Sequence, residues 1–221
     1  MHINNQNIGC LFDLDGVLVD TAVYHYKAWK DLANSLGFDF TEAQNEHLKG
    51  VNRMRSLDMI LEWGGVEKTA AEKEVLATTK NEAYVKMISK MTESEVLPGS
   101  LKLLQDLKAS GIKIALGSAS KNSGLILERT GLAPLFDAIV DGNHVGTSKP
   151  DPEVFLKGAG LLGVEAQHCI VFEDAQAGVQ AAIAGKMKVV GIGQAANLMG
   201  ADVVISDLSG ITVEEIVALI K

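Results

Sequence analysis

Short apolar runs alternate with longer amphipathic stretches over most of this chain. Runs of strand length occur at residues 8–12, 112–116, 136–140, 169–172, 188–192 and 203–205. The stretches between them carry apolar residues at helical spacing, which predicts helices at 101–110, 123–131, 153–162, 175–184 and 213–221. Strands and helices that alternate through short connections are typical of a doubly wound parallel sheet, so an α/β fold is predicted.

The stretch from residue 21 to 91 interrupts this alternation. Its spacing predicts only helices, at about 22–36, 42–48, 56–63 and 69–91, with Thr21 as the cap of the first. Helices that are not threaded between parallel strands indicate a separate all-α unit. We therefore expect a discontinuous core domain of residues 1–20 and 92–221, with residues 21–91 inserted as an α-helical cap domain.

The composition is that of an ordinary globular protein and argues against several partners. The chain has 221 residues, 47% of them hydrophobic, and a formal net charge of −8. The acidic balance and the lack of a Lys/Arg run argue against nucleic acid. Because no apolar run reaches the length of a membrane span and residues 1–7 lack a signal pattern, we expect a cytoplasmic protein without a membrane partner. Cys10 and Cys169 are expected to be reduced core thiols, and nothing demands more than a monomer.

Two aspartates follow the first apolar run. Asp13 and Asp15 stand two residues apart and precede Gly16, which predicts a strand that runs into a tight turn with both carboxylates on one side. Two carboxylates so close repel each other unless a cation or a proton lies between them. A hard cation such as Mg²⁺ suits such oxygen ligands, although Mn²⁺ also fits. A solvated turn that merely ends the strand is the alternative.

Further polar residues follow later strands. Ser118, Lys149, Glu173 and Asp174 each stand at or after the carboxyl end of a predicted strand, where doubly wound sheets bind their ligands. Taken singly, Lys149 fits a solvated turn lysine, Glu173 and Asp174 fit a helix N-terminus, and Ser118 and Ser120 fit helix caps. Taken together, they supply acidic metal ligands, a counter-charge and a hydroxyl donor, which suits phosphoryl transfer.

The four motifs resemble those of the haloacid-dehalogenase superfamily. They are Asp13 to Thr21, Ser118, Lys149 and the Glu173–Asp174 pair, in this order along nearly the whole chain. The resemblance implies that the fold is the superfamily's Rossmann-like core with a small helical cap. It also implies that Asp13 carries the phosphoryl group and that Asp15 is the acid and base. One Mg²⁺ would be held by Asp13, by Asp15 through its main-chain carbonyl and by Asp174, with Glu173 either a direct ligand or a partner of the ligands. The second aspartate resembles the phosphatase and phosphomutase branch, because dehalogenases lack it.

Three stretches, 21–29, 48–53 and 117–122, are similar to the β-phosphoglucomutase family. The similarity implies interconversion of β-D-glucose 1-phosphate and D-glucose 6-phosphate, with β-glucose 1,6-bisphosphate as primer and intermediate. It also implies a second phosphate-binding site, the second phosphate grip, that includes Arg53 and Lys121. The expected substrate contacts are Lys49, Gly50, Val51, Asn52, Arg53, Ser56, Lys80, Ser118, Ala119, Ser120, Lys121 and Asn122. Arg53 and Lys80 as solvated helix charges remain alternatives.

Water is a difficulty for any mutase, because it hydrolyses an exposed aspartyl phosphate. We hypothesise that Thr21 and His25, on the first cap helix, couple cap closure to Asp15; a plain surface histidine is the alternative. A sugar-phosphate phosphatase would share the core residues and would not need Arg53 or the 120–122 cluster. A non-catalytic binding module is the third alternative, and the complete acidic set argues against it. The sequence leaves sugar specificity open.

Overall fold

A computed structural model describes residues 5–220 and confirms the predicted parallel sheet. Its six strands are all parallel and follow the order β3-β2-β1-β4-β5-β6. They are β1 (Gly9–Phe12), β2 (Lys113–Gly117), β3 (Ala138–Val140), β4 (Cys169–Glu173), β5 (Lys188–Ile192) and β6 (Val203–Ile205). The first residues of the polar N-terminal segment and Lys221, the predicted end of the last helix, lie outside the described residues.

The insert between β1 and β2 is helical, as predicted. Its helices are α1 (Ala22–Ser35), α2 (Glu42–Glu46), α3 (Arg53–Trp63) and α4 (Ala70–Ile88). They enclose an apolar cluster of their own, which includes Trp29, Leu32, Phe40, Leu57 and Ile60. The insert therefore has the separate core that an α-helical cap needs.

The predicted features of the cap that are wrong include the end of α4, which lies at Ile88 and not at residue 91, the start of α3 and the cap of α1. Helix α3 begins three residues earlier than expected, because the side chain of Asn52 accepts a hydrogen bond from Arg55 N and caps it. Thr21 precedes α1 but makes no side-chain cap. Its hydroxyl donates to Asp15 Oδ1 instead, so a tertiary contact outcompetes the local one.

Five helices cover the sheet. They are α5 (Ser100–Ala109), α6 (Ser123–Arg129), α7 (Glu153–Leu162), α8 (Gln176–Ala184) and α9 (Val213–Ala218). Side chains of β1 alternate between two apolar clusters, Cys10 and Phe12 in one and Leu11 in the other, so the strand is buried on both faces. Cys10 and Cys169 are buried free thiols, as expected, and belong to different clusters. From residue 5 to residue 220, no helix combines the length and apolar character needed to span a membrane.

The position of β1 determines where Asp13 lies. The strand runs between β2 and β4, the ring of Phe12 stacks on that of Phe172 at 4.3 Å, and Asp13 N donates to Phe172 O over 3.0 Å. Beyond the strand, Gly16 adopts φ +82°, and a Cβ there would lie 2.2 Å from an Asp174 oxygen. Glycine at this turn therefore lets the chain pass close to a second acidic residue.

Two helical glycines, Gly178 and Gly160, test how tightly the backbone packs around the acidic residues at the end of β4. A Cβ on Gly178 would lie 2.0 Å from Glu173 Cδ, whereas one on Gly160 would meet nothing within 4 Å. Gly178→Ala is expected to lower the free energy of unfolding by about 1–3 kcal/mol through overpacking. Gly160→Ala is the matched control and should raise it by roughly 0.5 kcal/mol, because the unfolded chain loses freedom. Urea denaturation measures both, and equal effects would contradict the prediction.

Candidate active site

A cavity of about 490 Å³ lies between the carboxyl ends of the strands and the helical cap. Thr21 and Glu173 are the predicted site residues that do not line it; both are fully buried. The predicted residues that line it are Asp13, Asp15, His25, Lys49, Gly50, Val51, Asn52, Arg53, Ser56, Lys80, Ser118, Ala119, Ser120, Lys121, Asn122, Lys149 and Asp174.

Lys149 bridges two carboxylates in the floor of the cavity. Its Nζ lies 2.6 Å from Asp13 Oδ1 and 2.9 Å from Glu173 Oε2, and its side chain is 1% exposed. Burial by itself lowers the pKa of a lysine, but the charges of Asp13 and Glu173 outweigh burial and raise it above its ordinary value. Lys149 is therefore a buried cation, and the solvated-turn alternative is wrong.

Three carboxylates meet beside this lysine. Asp13, Glu173 and Asp174 each offer an oxygen, and these oxygens lie within 4.8 Å of one another. Within residues 5–220, Glu173 Oε1 is buried without any hydrogen-bond donor. Burial raises the pKa of both Glu173 and Asp174, with Asp13 adding to it. An oxygen-seeking divalent cation fits this set, because it would satisfy the orphaned oxygen and relieve the repulsion.

The second aspartate has a different environment. The Asp15 carboxylate lies outside the three-carboxylate group and accepts a hydrogen bond from Thr21 Oγ1. Burial first, and then the charge of Asp13, raise the pKa of Asp15 to about 7, while the Thr21 hydrogen bond opposes them. Both protonation states are therefore accessible near neutral pH, as a group that donates and accepts protons requires. Ligation of metal by its main-chain carbonyl stays a prediction.

The cap contributes a buried lysine. Lys80 is 4% exposed, its Nζ lies 2.9 Å from His25 Nδ1, and it stands 4.4 Å and 4.8 Å from the ring centroids of Trp29 and Tyr84. In the described part of the chain it has no carboxylate within ion-pair distance. Burial, followed by the charge of Arg53, lowers its pKa to about 7. The surface alternatives for Lys80 and His25 are therefore wrong.

The loop from Ser118 to Asn122 is folded by its own hydroxyls. Ser118 Oγ accepts from Ser120 N at 3.1 Å, and Ser120 Oγ accepts from Asn122 N at 3.2 Å. Neither serine caps α6, which has no side-chain cap, so the capping alternative is wrong. Side chains and backbone of this loop face the cavity.

Besides the hydrogen bond from Thr21 to Asp15, further polar contacts join the cap to the core around the cavity. Lys49 Nζ lies 3.4 Å from Asp174 Oδ2. Asn52 Nδ2 donates to Ser148 Oγ at 2.8 Å, and Asn122 Nδ2 donates to Asn81 Oδ1 at 3.0 Å. These contacts hold the cap against the core.

Sequence reasoning missed several cavity residues. A helical signal was available for two of them, because Trp29 stands four residues after His25 and Tyr84 four after Lys80. No local signal marks the others, which reach the cavity through the tertiary fold. The missed residues include Trp29, Asn45, Glu74, Thr78, Asn81, Tyr84, Thr147 and Ser148.

Comparison with known proteins agrees with this geometry. The model of the haloacid dehalogenase-like hydrolases matches residues 9–186. A β-phosphoglucomutase from Bacillus subtilis is 44% identical over 206 residues, which cover 92% of this chain and 91% of the relative. A crystal structure of a β-phosphoglucomutase from Clostridium difficile superposes with a TM-score of 0.92 at 42% identity and covers 96% of each chain.

Phosphatases are similar as well. A fructose-1-phosphate phosphatase from Escherichia coli is 32% identical over 184 residues, which cover 83% of this chain and 95% of the relative. The chain belongs to the haloacid dehalogenase-like hydrolase family.

Proposed function

We propose that this chain acts as a β-phosphoglucomutase, which interconverts β-D-glucose 1-phosphate and D-glucose 6-phosphate. One observation carries the proposal: the cavity that holds the reacting carboxylate is also lined by several further cationic and polar groups. Asp13 and Lys149 stand at the core end, while Arg53, Lys121 and Asn122 line the rest. A phosphatase needs one phosphate site, whereas a mutase must also hold the phosphate on the other end of the sugar while the first is transferred. The 44% identity to the mutase from Bacillus subtilis supports the same function.

The first transfer starts from Asp13 phosphorylated on its carboxylate. The C6 hydroxyl of β-glucose 1-phosphate attacks this phosphorus, the bond from phosphorus to Asp13 breaks, and Asp15 accepts the hydroxyl proton. The products are β-glucose 1,6-bisphosphate and a free Asp13 carboxylate. A pKa near 7 suits Asp15 to this exchange.

The second transfer runs after the bisphosphate has turned round. Asp13 attacks the phosphorus on C1, the bond to the C1 oxygen breaks, and Asp15 returns its proton to that oxygen. Glucose 6-phosphate leaves and the phosphoenzyme is restored. Lys149 holds the Asp13 carboxylate in place, and Ser118 can donate its hydroxyl to a phosphoryl oxygen.

Mg²⁺ is the proposed cofactor, one per chain, held by Asp13, Glu173, Asp174 and the Asp15 carbonyl. When bound, it would neutralise charge on the transferring phosphoryl group. Ala175 follows this set and has no hydroxyl to contribute. The bisphosphate serves as the primer that first phosphorylates Asp13.

The distal phosphate would be held by the cap and by the 118–122 loop. Arg53 offers two parallel N–H donors, Lys121 a charge and Asn122 an amide. We assign residues 21–91 to a cap domain and residues 1–20 with 92–221 to the core. The contacts from Lys49, Asn52 and Asn81 to the core support a cap that excludes water when closed. Coupling of closure to Asp15 through Thr21 rests on the hydrogen bond between them.

A sugar-phosphate phosphatase is the second candidate, favoured by the Escherichia coli relative. Arg53 and the 120–122 cluster, which a phosphatase does not need, argue for the mutase. The proposed partners are a small sugar phosphate and no nucleic acid or membrane. A monomeric state and cytoplasmic residence stay predictions.

One assay separates the two candidates. The chain is incubated with Mg²⁺, β-glucose 1-phosphate and a trace of β-glucose 1,6-bisphosphate, and glucose 6-phosphate and inorganic phosphate are measured together. We expect glucose 6-phosphate to be the main product by at least about 100-fold, because the closed cap excludes water. Asp13→Asn should abolish the reaction. Inorganic phosphate as the main product would contradict the mutase.

Lys80 is expected to lower the free energy of unfolding at neutral pH and to strengthen substrate binding. Its pKa falls from 10.5 to about 7 on folding, so the folded state binds fewer protons than the unfolded state between these values. The buried lysine therefore destabilises the fold at pH 7, and this effect fades as the pH rises towards 10. Lys80→Met is expected to raise the free energy of unfolding at pH 7 by on the order of 2 kcal/mol and to raise KM for β-glucose 1-phosphate.

Lys73→Met is the matched control on the same helix. Lys73 is partly exposed and lies 2.6 Å from Asp58, so its loss should lower stability by less than about 1 kcal/mol and leave KM unchanged. Denaturation at pH 7 and pH 10 and steady-state kinetics measure the effects. A Lys80→Met variant that is less stable at pH 7, or one with unaltered KM, contradicts the assignment.

A further inference from the structure

Asp141 is a buried carboxylate that the catalytic scheme does not use. It follows β3, is 6% exposed and does not line the cavity. Among residues 5–220, it has no lysine or arginine within ion-pair distance. His144 Nδ1 lies 2.8 Å from Oδ1 and accepts a hydrogen bond from Asp141 N over 3.2 Å. A buried carboxylate is costly unless several donors satisfy it, so its neighbours indicate what it does.

The donors to Asp141 come from two segments. Asn143 N donates to Oδ1 over 2.9 Å, and Asn143 Nδ2 donates to Oδ2 over 3.3 Å, which closes the turn after β3. Ser123 Oγ, on the first residue of α6, donates to Oδ2 over 2.7 Å. Both Ser123 and Asp141 are buried, so this bond is shielded from water. The carboxylate therefore ties the start of α6 to the end of β3.

The 118–122 loop runs between these tied points. Ser118 N donates to Val140 O at 3.0 Å, and Gly142 N donates to Ser120 O at 3.2 Å. Asn143 Nδ2 also donates to Lys121 O at 3.0 Å. A Cβ on Gly142 would lie 2.4 Å from the carbonyl oxygen of Ala119, so the two backbones are in direct contact. The turn that Asp141 closes is thus the surface against which the loop rests.

We propose that Asp141, together with Ser123, is a positioning residue for the second phosphate grip. Its carboxylate orients the 118–122 loop so that Ser120, Lys121 and Asn122 face the distal phosphate of the substrate. This role rests on the proposed function. It adds two functional residues, Asp141 and Ser123, that do not line the cavity. The core end of the site, at Asp13, does not depend on it.

Kinetics on two substrates test the proposal in the full-length chain with Mg²⁺. β-Glucose 1-phosphate also needs the second phosphate site at residues 120–122. Hydrolysis of acetyl phosphate needs only the groups around Asp13, where Ser118 is held by its own hydrogen bond to Val140 O. Asp141→Ala is expected to raise KM for β-glucose 1-phosphate about tenfold and Ser123→Ala about threefold, with acetyl phosphate hydrolysis changed less than about twofold. Ser123→Ala keeps the test valid if Asp141→Ala does not fold.

Asp137→Ala is the matched control. Asp137 stands before β3, at the opposite end of the same strand, and its Oδ2 accepts from Ile114 N over 2.8 Å. It should lower the melting temperature and leave KM unchanged. Unchanged KM in both test variants, an equal rise in Asp137→Ala, or a parallel loss of acetyl phosphate hydrolysis would overturn the positioning role. A wild-type chain that forms no glucose 6-phosphate would instead overturn the proposed function itself.

Discussion

The buried ion pairs of Lys149 are the interaction on which the rest of the site depends. One ammonium group satisfies Asp13 and Glu173 at 2.6 and 2.9 Å, in a place that water scarcely reaches. Removing one partner of such a buried pair costs about 3–5 kcal/mol, because a bare charge is left behind. Lys149, together with the more exposed Lys49 that lies 3.4 Å from Asp174, supplies two positive charges against three carboxylates, however. The excess negative charge, and the buried Glu173 oxygen that lacks a donor, create the demand for a divalent cation.

The cap side of the cavity has a different electrostatic environment. Lys80 and Arg53 both belong to the cap, and Lys80 is buried among aromatic rings with no carboxylate beside it in the described residues. Such an arrangement opposes folding at neutral pH, and an incoming phosphate would relieve it. Excess negative charge on the core side, together with the positive charge of Lys80 and Arg53 on the cap side, suits a substrate that must be held by both domains.

Local patterns in the sequence predicted the parallel sheet and the strand-end residues of the cavity, and the family resemblance supplied the cap residues and the 119–122 loop. Strand-end residues such as Asp13, Ser118 and Lys149 converge whenever parallel strands share an edge. Contacts between distant segments left no comparable signal. Thr21 looked like a helix cap and instead bonds Asp15, while Asn81 and Ser148 gain their partners only when the cap meets the core. Asp141 also has no local signature, since Ser123 and the 118–122 loop reach it through the fold.

The central claim is that one phosphoryl group passes through Asp13 to the sugar. The direct measurement phosphorylates the chain with ³²P-labelled bisphosphate, removes excess donor and adds unlabelled β-glucose 1-phosphate for a single turnover. The account predicts that the label leaves the protein and appears on C6 of glucose 6-phosphate. Label that is released as inorganic phosphate, or that stays on the protein while glucose 6-phosphate forms, would contradict it.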